Sequence, residues 1–250
     1  AGCEAALIAS RRGHDVTLFE ASNRLGGLLN TMDGMELKWT VARFRDYLVR
    51  QIEKSAVTVR LNTKAGPDDL AGFDEVIVAI GSTPAVPPIP GADDKNVSFA
   101  TDAAKDEPSL GHRVAVIGGG EIGVEMGLHL ASHGHAVTVL ELQGVLSPES
   151  VPVHFRSLLQ ARWEREPNFS YILNARVTAI EDGRVVYEQG GQTAALPCDS
   201  VVLAAGMKPR SDEAMAFFTG ETRVHMIGDC DRVGSIQSAM RAAYALASNI

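Results

Sequence analysis

Residues 113–142 read RVAVIGGGEIGVEMGLHLASHGHAVTVLEL, and this stretch decides the fold. Val114 to Ile117 is a short apolar run of the kind that forms a buried parallel strand, and it leads into Gly118, Gly120 and Gly123 at GxGxxG spacing. Each glycine has its own task. Gly118 permits a tight turn, Gly120 lets the backbone approach a pyrophosphate, and Gly123 lets the following helix pack closely on the sheet. The first backbone N–H groups of that helix, at Glu121 and Ile122, have no intrahelical partners, and the helix dipole favours an anion beside them. A second strand, Ala136 to Leu140, ends in Glu141, eighteen residues after Gly123, where a carboxylate can accept hydrogen bonds from ribose hydroxyls. Glycine spacing alone is weak evidence, because an ordinary βαβ turn also uses glycine. Here strand, glycines, helix and terminal acid fall in register, and together they predict a dinucleotide site.

The pattern occurs twice. Shifted by 121 residues, Ala1 to Glu20 falls on Ile122 to Glu141, and eight of twenty positions agree without a gap. The matches pair Gly2 with Gly123, Glu4 with Glu125, Leu7 with Leu128, Gly13 and His14 with Gly134 and His135, Val16 and Thr17 with Val137 and Thr138, and Glu20 with Glu141. The chain thus opens inside a second fingerprint whose first strand and first two glycines are expected ahead of Ala1, so the sequence reads as a piece of a longer protein. Ala1 to Arg12 is predicted as the helix after that turn, Asp15 to Phe19 as the next strand, and Glu20 as its ribose acid.

Composition bounds the possibilities. A chain of 250 residues with 45% hydrophobic and 22% charged content is ordinary for a globular α/β protein. A net charge of −8 and a pI near 5.4 argue against a nucleic-acid partner. No apolar run approaches the roughly 20 residues that span a bilayer, so no membrane segment is expected. Cys3, Cys198 and Cys230 are scattered and form no CxxC, which suits a reducing, cytoplasmic setting and excludes a disulfide reductase built on paired cysteines. No residues are assigned as metal ligands, and none of the seven histidines is assigned as a general acid or base.

The remaining chain supplies the rest of two units. Ala21 to Leu29 is a loop whose Gly26 and Gly27 can pass close to a nucleotide; Val41 to Ser55 carries a helical stripe, and Val57 to Leu61 alternates like a strand. Asp74 to Ile80 is a buried strand ending at Gly81, and a proline-rich crossover leads to the second fingerprint. After it come a helix at Pro152 to Glu164 and four short strands near Tyr171–Leu173, Arg176–Ile180, Arg184–Tyr187 and Ala194–Leu196. Ser200 to Ala205 with Gly206 mirrors Glu75 to Gly81, so two units of fingerprint, meander and closing strand are expected. Thr222 to Asp229 is a strand, and Gly234 and Ser235 cap a last helix. The expected fold class is therefore α/β, with two Rossmann-like dinucleotide-binding domains: residues 1–110 with 209–250, lacking its N-terminal strand, and residues 111–208 inserted in it.

GHDVTLFEASNRLGG, VIVAIGSTPAVPPIPG, VAVIGGGEIGVE, VVLAAGMKP and MIGDCDRVGSIQSAM together resemble the C-terminal FAD- and NAD(P)-binding portion of Old Yellow Enzyme-like NADH:flavin oxidoreductases, the group of 2,4-dienoyl-CoA reductase, enoate reductase and trimethylamine dehydrogenase. The resemblance covers the whole chain and implies FAD in the first domain and NAD(H) in the second. It implies that Glu20 binds the FAD adenosine ribose, that Gly26 and Gly27 with Arg24 line its phosphates, and that Ala1, Gly2, Ala79 and Gly81 shape the cleft. Gly228 and Asp229 would face the ribitol, while Ser235 and Ile236 would open a helix whose N-terminus favours the anionic reduced flavin. Gly206 takes the corresponding place in the NAD(H) domain. Leu28 departs from relatives that carry a polar residue after the glycine pair. The resemblance also implies an upstream barrel domain of the same polypeptide, carrying FMN and a 4Fe-4S cluster.

The function expected from these features is an NAD(P)H:flavin oxidoreductase module that passes hydride from nicotinamide to FAD and electrons onward to the upstream domain. The rival is a structural domain of an amine-dehydrogenase-like flavoprotein, holding ADP in place of FAD. The intact GGGEIG with Glu141 favours the first, since a structural module has no use for those glycines.

Overall fold

The computed structural model describes residues 1–147, 153–220 and 222–250. The chain begins with α1 (Gly2–Arg11), β1 (Thr17–Phe19), α2 (Trp39–Glu53), β2 (Thr58–Arg60), β3 (Glu75–Val78) and β4 (Ser82–Pro84). It continues through β5 (Val97–Phe99), α3 (Ala100–Asp106), β6 (Arg113–Ile117), α4 (Glu121–Ser132), β7 (Ala136–Leu140), α5 (Val153–Trp163) and β8 (Phe169–Ile172). Then follow β9 (Arg176–Glu181), β10 (Arg184–Gln189), β11 (Gln192–Pro197), β12 (Ser200–Leu203), β13 (Met207–Pro209), α6 (Ser211–Met215), β14 (Arg223–Met226) and α7 (Ile236–Ala247). Pro152, the expected start of the helix after the second fingerprint, lies outside the described residues.

Two compact units result, the first from residues 1–30, 40–83 and 207–250 and the second from 31–39 and 84–206. This division differs from the expected one: residues 84–110 join the second unit because β5 pairs with β12 in its sheet. Residues 31–39 join it too, with Met35 in its core.

In the second unit a parallel sheet runs in the order β5-β12-β6-β7-β8. Its strands are apolar at successive positions because both faces are covered. Val114 and Val116 of β6 pack with Val124, Leu128 and Leu159 of the helices, while Ala115 and Ile117 pack with Ile180 and Val185 of the antiparallel meander β9-β10-β11. The segment Tyr171–Leu173 was expected among the meander strands; as β8 it instead pairs with β7 in parallel register, Leu140 opposite Ile172. Its short apolar pattern fits either partner, and only the crossover through α5 decides.

The first unit holds two parallel pairs, β1-β2 and β14-β3. Arg223 and His225 on β14 reach Glu75 at 2.7 and 2.6 Å, and the His225 ring, first among the causes, draws the Glu75 carboxyl below its ordinary pKa. By the repeat, β1 corresponds to β7 and β3 to β12, so among the described residues no strand stands where β6 stands in the second unit. Among the described residues no meander joins the first unit's strands either; between β2 and β3 the chain makes a 3₁₀ turn at Pro67–Leu70. Helix α1 buries Ala5 and Ala9 against Ala243 and Ala247 of α7, small residues that let two helices approach. Among the described residues no helix is long and apolar enough to cross a membrane.

Candidate nucleotide sites

In the second unit the backbone at Gly118 has φ +107°, a conformation side chains rarely adopt, and a Cβ there would lie 2.5 Å from the Ala204 carbonyl oxygen. At Gly123 a Cβ would stand 1.9 Å from the carbonyl oxygen of Gly118, so only glycine lets α4 meet the turn this closely. Gly120, the N-cap of α4, is different: its φ is −67° and a Cβ would meet nothing within 4 Å. Neither conformation nor packing requires glycine there, which leaves an open cradle at the helix N-terminus. The unpaired amides of the first turn of α4 and that open face suit a pyrophosphate. Glu121 and Ile122 both lie exposed at this end, Ile122 at 38%.

Glu141 closes the same turn. Its Oε2 accepts from the Gly119 amide at 2.5 Å and its Oε1 from the Gln143 amide at 2.7 Å. A carboxylate has about four lone-pair sites, so each oxygen retains capacity for a ribose hydroxyl. The loop then folds back, and Ser147 donates its amide to the Gly119 carbonyl at 2.7 Å. The Ser147 hydroxyl is fully buried and has no hydrogen-bond partner among the described residues. Gly206, with φ +100°, ends the closing strand β12 and accepts from the Ala85 amide.

One turn into α4, Glu125 is 2% exposed and pairs with Lys38 Nζ at 2.5 Å; the same ammonium reaches Glu121 at 3.1 Å. Burial pushes the Glu125 carboxyl up to about 7, with the Lys38 charge acting in the opposite direction. Glu125 repeats as Glu4, which was visible, but nothing local announces that Lys38, far back in the chain, is its partner.

In the first unit Glu20 repeats the arrangement of Glu141: its Oε1 accepts the Ser22 amide at 2.8 Å and the Ser22 hydroxyl at 2.7 Å. The Arg24 carbonyl lies 2.7 Å from the same Ser22 hydroxyl and shares its single proton with Glu20, while Arg24 reaches toward the Asn30 carbonyl at 3.5 Å. Gly26 has φ +121° and no room for a Cβ beside Asn30 and Arg45, whereas Gly27 at φ +54° faces open space. Gly2 stands closest to Ala79, the counterpart of Gly123 against Ala204. Gly81 follows with φ +76°, and its carbonyl accepts from the Arg210 amide.

Gly228, with φ +70°, lies against Ala1 and turns the chain so that Asp229 accepts from Ser82 Oγ at 3.5 Å and from the Gly234 amide at 3.2 Å. Ser235 caps α7, its hydroxyl accepting the Ser238 amide at 3.1 Å while Ser238 returns a bond to the Ser235 amide. Ile236 begins that helix 42% exposed. The structure thus brings the first unit's expected residues to two clusters, one around Glu20 to Gly27 and one around Ala1, Ala79, Gly81 and Asp229. Ser22 and Ser82 join them unannounced by the sequence.

A family model described as pyridine nucleotide-disulphide oxidoreductase matches residues 1–244. The bilirubin reductase of Mediterraneibacter gnavus (strain CC55_001C) is 34% identical over 253 residues, covering all of this chain and 39% of its own length. A solved 2-naphthoyl-CoA reductase superposes with a TM-score of 0.92 at 30% identity, over 99% of this chain and 38% of that one. The histamine dehydrogenase of Rhizobium sp. 4-9 shares the fold at a TM-score of 0.88 and 24% identity, over 100% of this chain and 42% of its own. The chain therefore spans about two fifths of the length of these three relatives.

Proposed function

The chain belongs to the pyridine nucleotide-disulphide oxidoreductase family, and on that premise we propose that it is the NADH- and FAD-binding module of a larger flavoprotein oxidoreductase. The second unit holds NADH: the amides at the start of α4 take the pyrophosphate, Gly120 leaves room for it, and Glu141 receives the adenosine ribose. The first unit holds FAD: Glu20 receives its adenosine ribose, Gly26 and Gly27 with Arg24 line its phosphates, Asp229 faces its ribitol, and the N-terminus of α7 at Ser235 faces its isoalloxazine. When bound, the cofactors supply hydride transfer from nicotinamide to flavin; the protein contributes placement and electrostatics. An FMN-bearing barrel with a 4Fe-4S cluster, in a preceding part of the same polypeptide, would take up the electrons. The small share of the relatives' length that this chain spans supports that larger assembly. A cytoplasmic location fits three cysteines that are all free.

The observation that carries the reading is the contrast within one turn: glycine is enforced internally at Gly118 and Gly123, but at Gly120 nothing inside the protein requires it. In the full-length protein, anaerobic NADH should bleach the FAD absorbance. Gly120→Val should abolish bleaching while FAD stays bound, because the added methyls occupy the pyrophosphate's place. A wild-type protein that carries ADP and no flavin, or a Gly120→Val variant reduced at the normal rate, would overturn the proposal.

A further inference from the structure

At the far end of α4 from the glycine turn, the second unit gathers three histidines around one carboxylate. Glu107 begins a 3₁₀ turn, His129 lies in the last turn of α4, His133 caps that helix, and His135 stands in the turn before β7. Glu107 Oε2 is 3.4 Å from His129 Nε2, and its Oε1 is 3.3 Å from His133 Nδ1 and 3.8 Å from His135 Nε2. Ligand atoms of Glu107, His129 and His133 all lie within 4.8 Å of one another.

These distances do not describe ion pairs in their usual form, since a protonated ring against a carboxylate closes to about 2.7–2.9 Å. The distances to His129 and His133, each from its own carboxylate oxygen, lie close to the edge of a tetrahedron drawn around a cation with ligand bonds near 2.0–2.1 Å, which is about 3.3 Å. The rings also present the right atoms. His135 Nδ1 is 2.9 Å from the Gly111 carbonyl, which can only accept, so Nδ1 carries a proton and Nε2 faces Glu107 from beside the group. His129 is 6% exposed and turns its Nε2 toward Glu107. The C-terminal end of α4 adds a field that favours positive charge.

We propose that Glu107, His129 and His133 bind one divalent cation of the zinc class. Imidazole with carboxylate suits Zn²⁺, Ni²⁺ or Co²⁺ over Mg²⁺ or Ca²⁺, which prefer all-oxygen shells. The site stands a helix length, about 18 Å, from the N-terminus of α4, so its ion clamps Glu107 to the end of α4 and takes no part in hydride transfer. The sequence shows His129 and His133 at His-x3-His spacing on one helix face, but Glu107 precedes His129 by twenty-two residues and only the fold brings it there.

The test uses the full-length protein, purified without a polyhistidine tag, passed over chelating resin and titrated with ZnCl₂ by calorimetry, with thermal unfolding followed in parallel. Wild type should bind one more equivalent than His133→Ala and gain a rise in melting temperature that the variant lacks. His133 is half exposed, so the truncation should leave the fold intact. Glu107→Gln, which keeps the side-chain shape and removes its charge, should show the same loss. Equal stoichiometry and equal thermal response in wild type and both variants would overturn the site, as would the absence of saturable binding to wild type.

Discussion

Glu141 accepts from the Gly119 amide as well as from Gln143, so the acid that ends β7 also braces the glycine turn. A 2′-hydroxyl can still donate to it, but a 2′-phosphate sets negative charge against it. At ~5 Å and an effective dielectric near 20 the repulsion is about 3 kcal/mol per unit charge, or roughly a hundredfold in affinity. Steady-state reduction should therefore favour NADH over NADPH by about that factor, and equal use of the two by wild type would defeat the claim. Glu141→Ala should narrow the gap and also raise KM for NADH, because the turn loses its brace. The glycines separate in the same way. Gly123→Ala drives a methyl into the Gly118 carbonyl and should cost about 1–3 kcal/mol in thermal unfolding. Gly120→Ala meets nothing within 4 Å and should leave the melting temperature nearly unchanged. Equal destabilisation by both would mean that the turn is not held as described.

Two ion pairs fix how elements meet, and they respond to pH in opposite directions. Asp199, ahead of β12, accepts from the Arg113 guanidinium at 2.6 Å and the Arg113 amide at 2.8 Å, which holds its carboxyl at about 2. A depressed folded pKa contributes stability above the ordinary value, lost as pH falls from about 4 through 2. The stability difference between wild type and Asp199→Asn should thus be steady near neutrality and close in that acid window. Glu125 is the reverse case: with its folded pKa raised to about 7, the folded state holds a proton that the unfolded state has released. Wild-type stability relative to Glu125→Gln should fall as pH rises from 4.5 through 7, read from denaturant midpoints at several pH values. A flat difference would show that Lys38 fully compensates the burial.

At the scale of the whole chain, the two units differ in how their strands are supported. The second unit has β6 and β7 inside a five-stranded sheet with both faces covered, whereas the first has separate two-stranded pairs. Isolated pairs are marginal without packing. Hydrogen exchange on this 250-residue chain should therefore find the amides of β6, β7 and β12 the most protected and those of β1 and β2 the least. In the full-length protein β1 and β3 should gain protection if an upstream strand completes their sheet. Uniform protection of both units in the 250-residue chain would contradict this.

Local chemistry makes some elements legible in the residues alone: the strand–turn–helix at Gly118 to Gly123, its repeat ending at Glu20, and the Ser235 cap. Backbone conformation and close approach act over a few residues, and glycine and serine record them directly. Only the tertiary structure decided which partner each short strand takes, so Phe169–Ile172 left the expected meander for the parallel sheet and Val97–Phe99 carried residues 84–110 into the second unit. It alone paired Lys38 with Glu125 and brought Glu107 to His129, His133 and His135. Such contacts join residues distant in the chain through burial and packing, and neither leaves a periodic mark on the residues it unites.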